Sequence, residues 1–521
     1  MSSWNMGYHT DVPYSFGYFR DLNPLYVKYQ FTLSGLAFPD FKNGNACELG
    51  FGQGISINMH AATSTTQWYG TDFNPLQVNF ARQIASLSQT PVHLMDNSFE
   101  QLSKRDDLPM FDFIGLHGIW SWVNHENQGY IVDFIRDHLN VGGVVYVSYN
   151  VSPGFLAFEP VRDLMKTYND RIVSPSASPK ERVDAINTFL DDLLKVQPAT
   201  VVNTNYLEPR IQSLKNHEPN YIFAEYLNDN WDIIHFQDLV NTLDRAKVEF
   251  ALNTSTPEYM DLLNFTTEQL EFLKRFKGTP MYEASRDFIT MQQFRRDYFV
   301  KGKRILTAKQ FKQELANLCF VQIQDFEGFS FKAQGRVGEA NLLKELYEPI
   351  MKVFADHKPH TIAEIYKTVT QNGKDIQTLP NGQPLFTDSS IVEVINVLID
   401  YLYLAPAIPL NELTTSVVEH SLRLNNQLLA DHDLMKLHYL ASPVIQGAVA
   451  IDDITRRLLA LRQRMPELNE QVFMSKYFNT FSAGLDEQKN ENGESNKDIF
   501  AKQINFFFTK HLPLLESLLV V

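Results

Sequence analysis

Over the first 155 residues short apolar runs alternate with segments of helical periodicity, a pattern that predicts a doubly wound α/β domain. Residues 46–49 form an apolar run broken by Glu48. Gly50-Phe51-Gly52-Gln53-Gly54 follows at once, and residues 55–62 continue as a helix. Further strands are predicted at 67–71, ending in Asp72, at 92–95, ending in Asp96, and at 111–116. Residues 131–139 read as an amphipathic helix, and 143–149 as a strongly β-branched fifth strand. These runs fit one open parallel sheet.

After Pro153-Gly154 the pattern turns helical. Residues 156–200 carry one breaker cluster at 174–179. Helices are predicted at 236–247, at 266–276 behind a capping Thr266, and at 281–296. A third block opens near Ile305. It holds a helix at 362–370, a turn-rich connector (Asn372-Gly373, Pro380-Asn381-Gly382), a helix at 390–403 and a β-like 401–404, an order that resembles a winged helix. Residues 486–498 read as a disordered polar loop before a last amphipathic helix. The expected division is 1–155, 156–302 (helical) and 303–521 (substrate- or partner-binding).

Composition narrows the class. The chain has 521 residues, 44% hydrophobic and 21% charged, with a formal net charge of −15. That is a globular composition of about three domains, and the acid excess argues against a dedicated nucleic-acid binder. Cys47 and Cys319 are too few for a disulfide framework or a cysteine zinc site. The histidines show no convincing metal-ligand spacing. With no apolar run long enough for a spanning helix and no signal-like start, a cytoplasmic protein without membrane insertion is expected.

The chemistry concentrates at the ends of the first three strands. Alternate glycines after a strand let the backbone approach a ligand closely, although a tight ligand-free turn has the same look. Two departures from the dinucleotide fingerprint favour a cationic, amino-acid-bearing cofactor: Ile55 stands where that motif needs a small residue, and Glu48 would repel a pyrophosphate. Asp72 suits vicinal ribose hydroxyls or a helix N-cap. Asp96 suits an adenine amino group, with Phe99 on the ring, or again an N-cap.

Together these features resemble the class I S-adenosylmethionine-dependent methyltransferases over residues 45–150. More narrowly, the chain is similar to bacterial methyltransferases that carry a methyltransferase regulatory domain. The matching stretches are Asp11-Val-Pro-Tyr14, Leu116-His-Gly-Ile-Trp120-Ser-Trp122, Ser148-Tyr149-Asn150 with Pro153-Gly154, residues 221–231, Arg286-Asp-Phe288 and Gln292-Gln-Phe-Arg-Arg-Asp297. Rickettsial protein-lysine methyltransferases look like members of the wider group. The resemblance implies S-adenosyl-L-methionine as cofactor, held by Glu48, Gly50, Phe51, Gly52, Gln53, Gly54, Asp72, Phe73, Asp96, Asn97, Ser98, Phe99 and His117. It implies a protein lysine as leading acceptor.

Methyl transfer from a sulfonium needs alignment rather than a metal or covalent nucleophile. An aromatic wall that desolvates a lysine would lower its pKa. Trp120, Tyr149, Tyr14 and Tyr18 are the candidate catalytic residues, with Trp122, Phe16 and Phe19 beside them; ordinary core is the competing role for each. His117 reads as a cofactor contact, with a base or a structural histidine as alternatives. The Asn/Asp-Pro-Pro-Tyr motif of enzymes that methylate planar amino groups is absent. A small molecule or surface glycan as acceptor, a non-catalytic S-adenosylmethionine-binding regulator, and a homodimer remain open alternatives. Arg286, Arg295 and Arg296, with Asp287 and Asp297, read as a solvated helix face, or as a latch onto the first domain.

Overall fold

The computed structural model describes residues 16–254, 260–371, 373, 377–378, 381–434, 436–485 and 494–521. Tyr14, Asp11-Val-Pro-Tyr14, Asn372, Pro380 and most of the polar run 486–498 lie outside them. Strands β1 (Asn45–Leu49), β2 (Gln67–Thr71), β3 (Val92–Met95), β4 (Phe111–Leu116) and β5 (Leu139–Asn150) form the expected parallel sheet. Two further strands, β6 (Glu249–Asn253) and β7 (Phe294–Val300), extend it to the order β3-β2-β1-β4-β5-β7-β6, with β7 antiparallel to both neighbours.

Those two strands change the expected organisation. The boundary near 155 cuts through the connectivity of one sheet, because 151–248 is a crossover between β5 and β6. The helix expected to run through 281–296 stops at Thr290, and its end is β7. Arg295 and Asp297 are fully buried there instead of forming a solvated face. Arg295 bridges Asp287 (2.7 Å), Glu283 (2.9 Å) and Asp297 (2.8 Å), and Asp297 also accepts from the Tyr149 hydroxyl (2.6 Å) and the Asn253 amide (2.7 Å). Mutual pairing is what lets such charges leave water. Burial still pushes the Asp287 carboxyl up to about 7, against the pull of Arg295.

The crossover carries its own core. Helices Glu159–Arg171, Pro179–Lys195, Leu207–Leu214 and Pro219–Tyr226 bury Met165, Ile186, Leu190, Ile211 and Phe223 around Trp122 and Phe155. The breaker cluster before Pro179 acts as a start signal: Ser178 and Glu181 make a capping box. The crossover begins in backbone contact with the turn before β7. A Cβ on Gly154 would sit 2.2 Å from the Gln292 carbonyl oxygen and 2.5 Å from that of Met291. Gly154→Ala is therefore expected to destabilise the chain by about 1–3 kcal/mol, the usual cost of overpacking against groups that cannot rotate away. Chemical denaturation with an unchanged midpoint would refute this.

Beyond 303, a three-stranded antiparallel sheet (His360–Thr361, Cys319–Gln322, Leu404–Ala407) packs with helices Lys344–Val353, Ile362–Val369 and Asp388–Asp400. The last two helices and the strand after them follow the expected helix–helix–strand order of the winged-helix-like part; the helix Lys344–Val353, the strand His360–Thr361 and the central strand Cys319–Gln322 lie outside that expectation. The last segment packs Leu424, Leu428, Val449 and Leu515 onto Ile55, Met59, Ala62 and Ile84 of the sheet's own helices. Helix Ile55–Thr63 is consequently buried on every side. Among the described residues no helix is long and apolar enough to cross a membrane, and no side-chain group could hold a metal ion.

Candidate functional site

A cavity of about 560 Å³ opens at the C-terminal ends of β1, β2, β4 and β5, where open α/β sheets bind ligands. Its volume suits a small-molecule site. Gly50, Gly52 and Gly54 all take left-handed backbone conformations, with φ of +70°, +57° and +69°. A Cβ on Gly50 would lie 2.2 Å from the Ile119 side chain and one on Gly54 2.5 Å from that of Ala81, so both hold the loop against its neighbours. A Cβ on Gly52 would meet nothing within 4 Å; this glycine faces the cavity.

Asp72 closes β2 and braces the loop. Its Oδ2 accepts from the Gly52 N–H (2.9 Å) and its Oδ1 from the Asn74 N–H (2.9 Å). With its amide turned toward Asp72, Gln77 donates to both oxygens at 2.9 and 3.0 Å. The N-cap of the following helix is Asn74, not Asp72. Burial pushes the Asp72 carboxyl up to about 7 despite these donors. Glu48 is raised further, to about 8, by burial and then by the charge of Asp72, and its buried Oε2 has no hydrogen-bond partner. Two desolvated carboxyls on one cavity form a site that a cationic ligand stabilises.

Other sequence candidates divide. Phe51, Gln53, Phe73, Asn97, Ser98, Phe99 and His117 line the cavity with the loop. Asp96 does not: it is exposed, and Ser98, with Gln101, caps the next helix. His117 stacks on Phe19 at 3.6 Å, and its Nδ1 lies 2.8 Å from the Tyr146 hydroxyl. Burial lowers its pKa to about 4, so it is neutral and suited to a hydrogen bond more than to proton abstraction.

The aromatic wall is built from different residues than the sequence suggests. Trp120 is 2% exposed and packs into the sheet core, while Trp122, two positions on, lines the cavity. Tyr149 is spent on Asp297, and burial raises its phenol well above the usual range. Tyr18 packs between His60 and Tyr439 and accepts from Asn23, outside the lining. The wall consists of Trp122, Phe155, Tyr221, Tyr226 and Phe294, with Arg210, Glu225 and Asn228 among them. Tyr221 and Glu225 stand at i and i+4 on one helix, the spacing that puts both on one face; that spacing was the signal available in sequence. The Trp122 indole donates to the Glu225 carbonyl at 3.3 Å and ties the roof helix to the end of β4.

Comparison with known proteins agrees with the fold. The family model described as a predicted methyltransferase regulatory domain matches residues 218–301. An uncharacterized protein of Synechocystis sp., sll1526, is 32% identical over 525 residues, 99% of each chain. An uncharacterized protein of Rickettsia prowazekii, RP789, is 24% identical over 55% of this chain and 51% of its own. Among solved structures, PKMT2 from Rickettsia typhi in complex with AdoHcy superimposes with a TM-score of 0.69 at 17% identity, covering 98% of this chain and 99% of that one. Matching the Synechocystis protein over 99% of each chain, the chain belongs to the same family as that protein, and its own Rossmann-like methyltransferase fold includes the regulatory-domain segment.

Proposed function

We propose that the protein is an S-adenosylmethionine-dependent methyltransferase whose acceptor is a lysine side chain of another protein. The observation that carries the cofactor is the Glu48–Asp72 pair behind an open Gly52: two buried carboxyls, one with an orphaned oxygen, facing space that a cation-bearing nucleoside fills. When bound, S-adenosylmethionine supplies a sulfonium-held methyl group that passes in line to a nucleophile and leaves a thioether. On this reading Asp72 accepts from vicinal ribose hydroxyls in place of the Gln77 amide, and Glu48 opposes the ligand's positive charge. Asn97, Ser98 and Phe99 border the space left for a base.

The acceptor side follows from the wall. Trp122, Phe155, Tyr221 and Tyr226 exclude water from an entering side chain, and desolvation favours the neutral amine over the ammonium, so its proton passes to bulk water on entry, before the N–C bond forms and the S–C bond breaks. Aromatic faces also attract the methylated ammonium product. Rickettsia typhi PKMT2 supports the reading by its fold. Incubation with radiolabelled S-adenosylmethionine and cell extract, followed by size fractionation and acid hydrolysis, tests it: methyl-lysine in the protein fraction is expected. Label confined to low-mass material would overturn the protein acceptor.

A further inference from the structure

Alternation along β5 places Tyr146, Ser148 and Asn150 on one face of the strand. The first two side chains are partnered within the protein. The Tyr146 hydroxyl lies 2.8 Å from His117 Nδ1, and Ser148 Oγ accepts from the Gly118 N–H at 2.8 Å. Asn150, at the end of the strand, is 4% exposed and lines the cavity. Among the described residues, neither the oxygen nor the nitrogen of its carboxamide has a hydrogen-bond partner. We propose that Asn150 is a catalytic residue whose carboxamide oxygen accepts an N–H of the acceptor amine and aims the nitrogen lone pair at the methyl group. The proposal rests on the methyltransferase reading and names, within it, the group that orients the nucleophile.

Buried polar side chains are nearly always hydrogen-bonded, so an open one on a ligand cavity is accounted for by a ligand. The backbone that carries it is fixed. The Asn150 N–H donates to Ser121 Oγ at 2.9 Å, and its carbonyl accepts from the Ile234 N–H at 2.9 Å. On β7 it is paired with Phe294, and Trp122 follows Ser121 in the chain, so both ties lead to the aromatic wall. An amide suits this place better than a carboxylate. A carboxylate would stabilise the ammonium and hold the proton on the acceptor, whereas a neutral carbonyl oxygen orients the free amine without doing so. In the transfer the nitrogen lone pair forms the N–C bond while the S–C electron pair stays on sulfur, which leaves as a thioether. The positive charge passes from sulfur to nitrogen, both N–H bonds are kept, and no proton moves to Asn150. The carbonyl dipole therefore faces developing positive charge, a contact stronger in the transition state than in the bound amine.

The test uses the full chain with poly-L-lysine as acceptor probe, saturating S-adenosylmethionine, and AdoHcy as cofactor probe. For Asn150→Ala, kcat is expected to fall on the order of a hundredfold, with KM for poly-L-lysine and AdoHcy affinity within about threefold of wild type. The melting temperature should not fall, because the side chain removed holds nothing in the protein. Asn150→Asp is expected to move the rise of kcat with pH upward by about one pH unit or more, since a carboxylate beside the amine keeps it protonated. The ionisable groups of the same cavity, among them Glu48, Asp72, His117, Arg210, Tyr221 and Glu225, are common to both proteins, so the displacement reports the new carboxylate. An unchanged kcat in Asn150→Ala overturns the proposal, as does an unshifted pH profile in Asn150→Asp. A melting temperature and AdoHcy affinity that drop along with kcat would mark a structural role and overturn it too. Wild-type protein that binds AdoHcy yet leaves poly-L-lysine unlabelled overturns the lysine acceptor, and this proposal with it.

Discussion

Gly52→Arg is expected to abolish cofactor binding while leaving the fold in place. Position 52 combines a left-handed φ of +57° with no atom within 4 Å of an added Cβ. The backbone cost is that of one non-glycine residue in the left-handed region, about 1–2 kcal/mol, and no packed neighbour has to move. The side chain, however, must enter the cavity, where it occupies ligand volume and brings a cation to the carboxyls that await one. Loss of AdoHcy affinity on the order of a thousandfold, about 4 kcal/mol, is expected by calorimetry. Melting should drop by only a few degrees. Gly50→Arg and Gly54→Arg should behave differently, because Ile119 and Ala81 stand in the way and folding suffers first. Retained AdoHcy binding by Gly52→Arg would remove the cofactor from this loop.

What could be read from sequence, and what could not, follows from where each constraint acts. The glycine loop is legible because the backbone itself needs glycine at three alternate positions, and the order of β1 to β5 is legible because each strand is a short apolar run. β7 is hidden by chemistry: Arg295 and Asp297 look like a solvated face, yet pair with each other at full burial. Asp96 misleads for the opposite reason. An acidic residue at a strand end looks like a ligand contact, but here the chain turns it outward, and Asn97 and Ser98 line the cavity instead. The wall helix Pro219–Tyr226 was legible only in part: spacing puts Tyr221 and Glu225 on one face, but they lie far along the chain from Glu48 and only the fold brings that face to the same cavity. Tandem tryptophans show the limit most locally: in the short turn after β4, Trp120 goes into the core and Trp122 to the cavity. Residue type alone does not distinguish them.

Glu48→Gln should make the empty protein more stable and the enzyme worse. Burial holds the Glu48 carboxyl at about 8, far above its ordinary value of 4.5. A folded state with a raised carboxyl pKa binds more protons than the unfolded chain. Its contribution is therefore complete below about pH 4.5 and is lost as pH rises through about 8. The wild-type melting temperature should fall across that window, with Asp72 adding the same sign up to about pH 7. Glutamine has no proton to lose, so Glu48→Gln should flatten part of the slope and melt higher than wild type at pH 8. Ligand binding runs the other way. A cationic cofactor favours the ionised carboxyls, so binding to wild type should expel protons, and affinity should rise on the order of tenfold per pH unit between pH 6 and 8. In Glu48→Gln that rise should weaken, and S-adenosylmethionine affinity at pH 8 should drop on the order of a hundredfold, about 3 kcal/mol. Calorimetry in two buffers of different ionisation heat, alongside melting curves from pH 5 to 8, reads both effects. A variant that loses stability together with affinity would show that Glu48 holds the loop rather than the ligand. Stability gained as affinity is lost is the mark of a group kept in an unfavourable place for the ligand's charge.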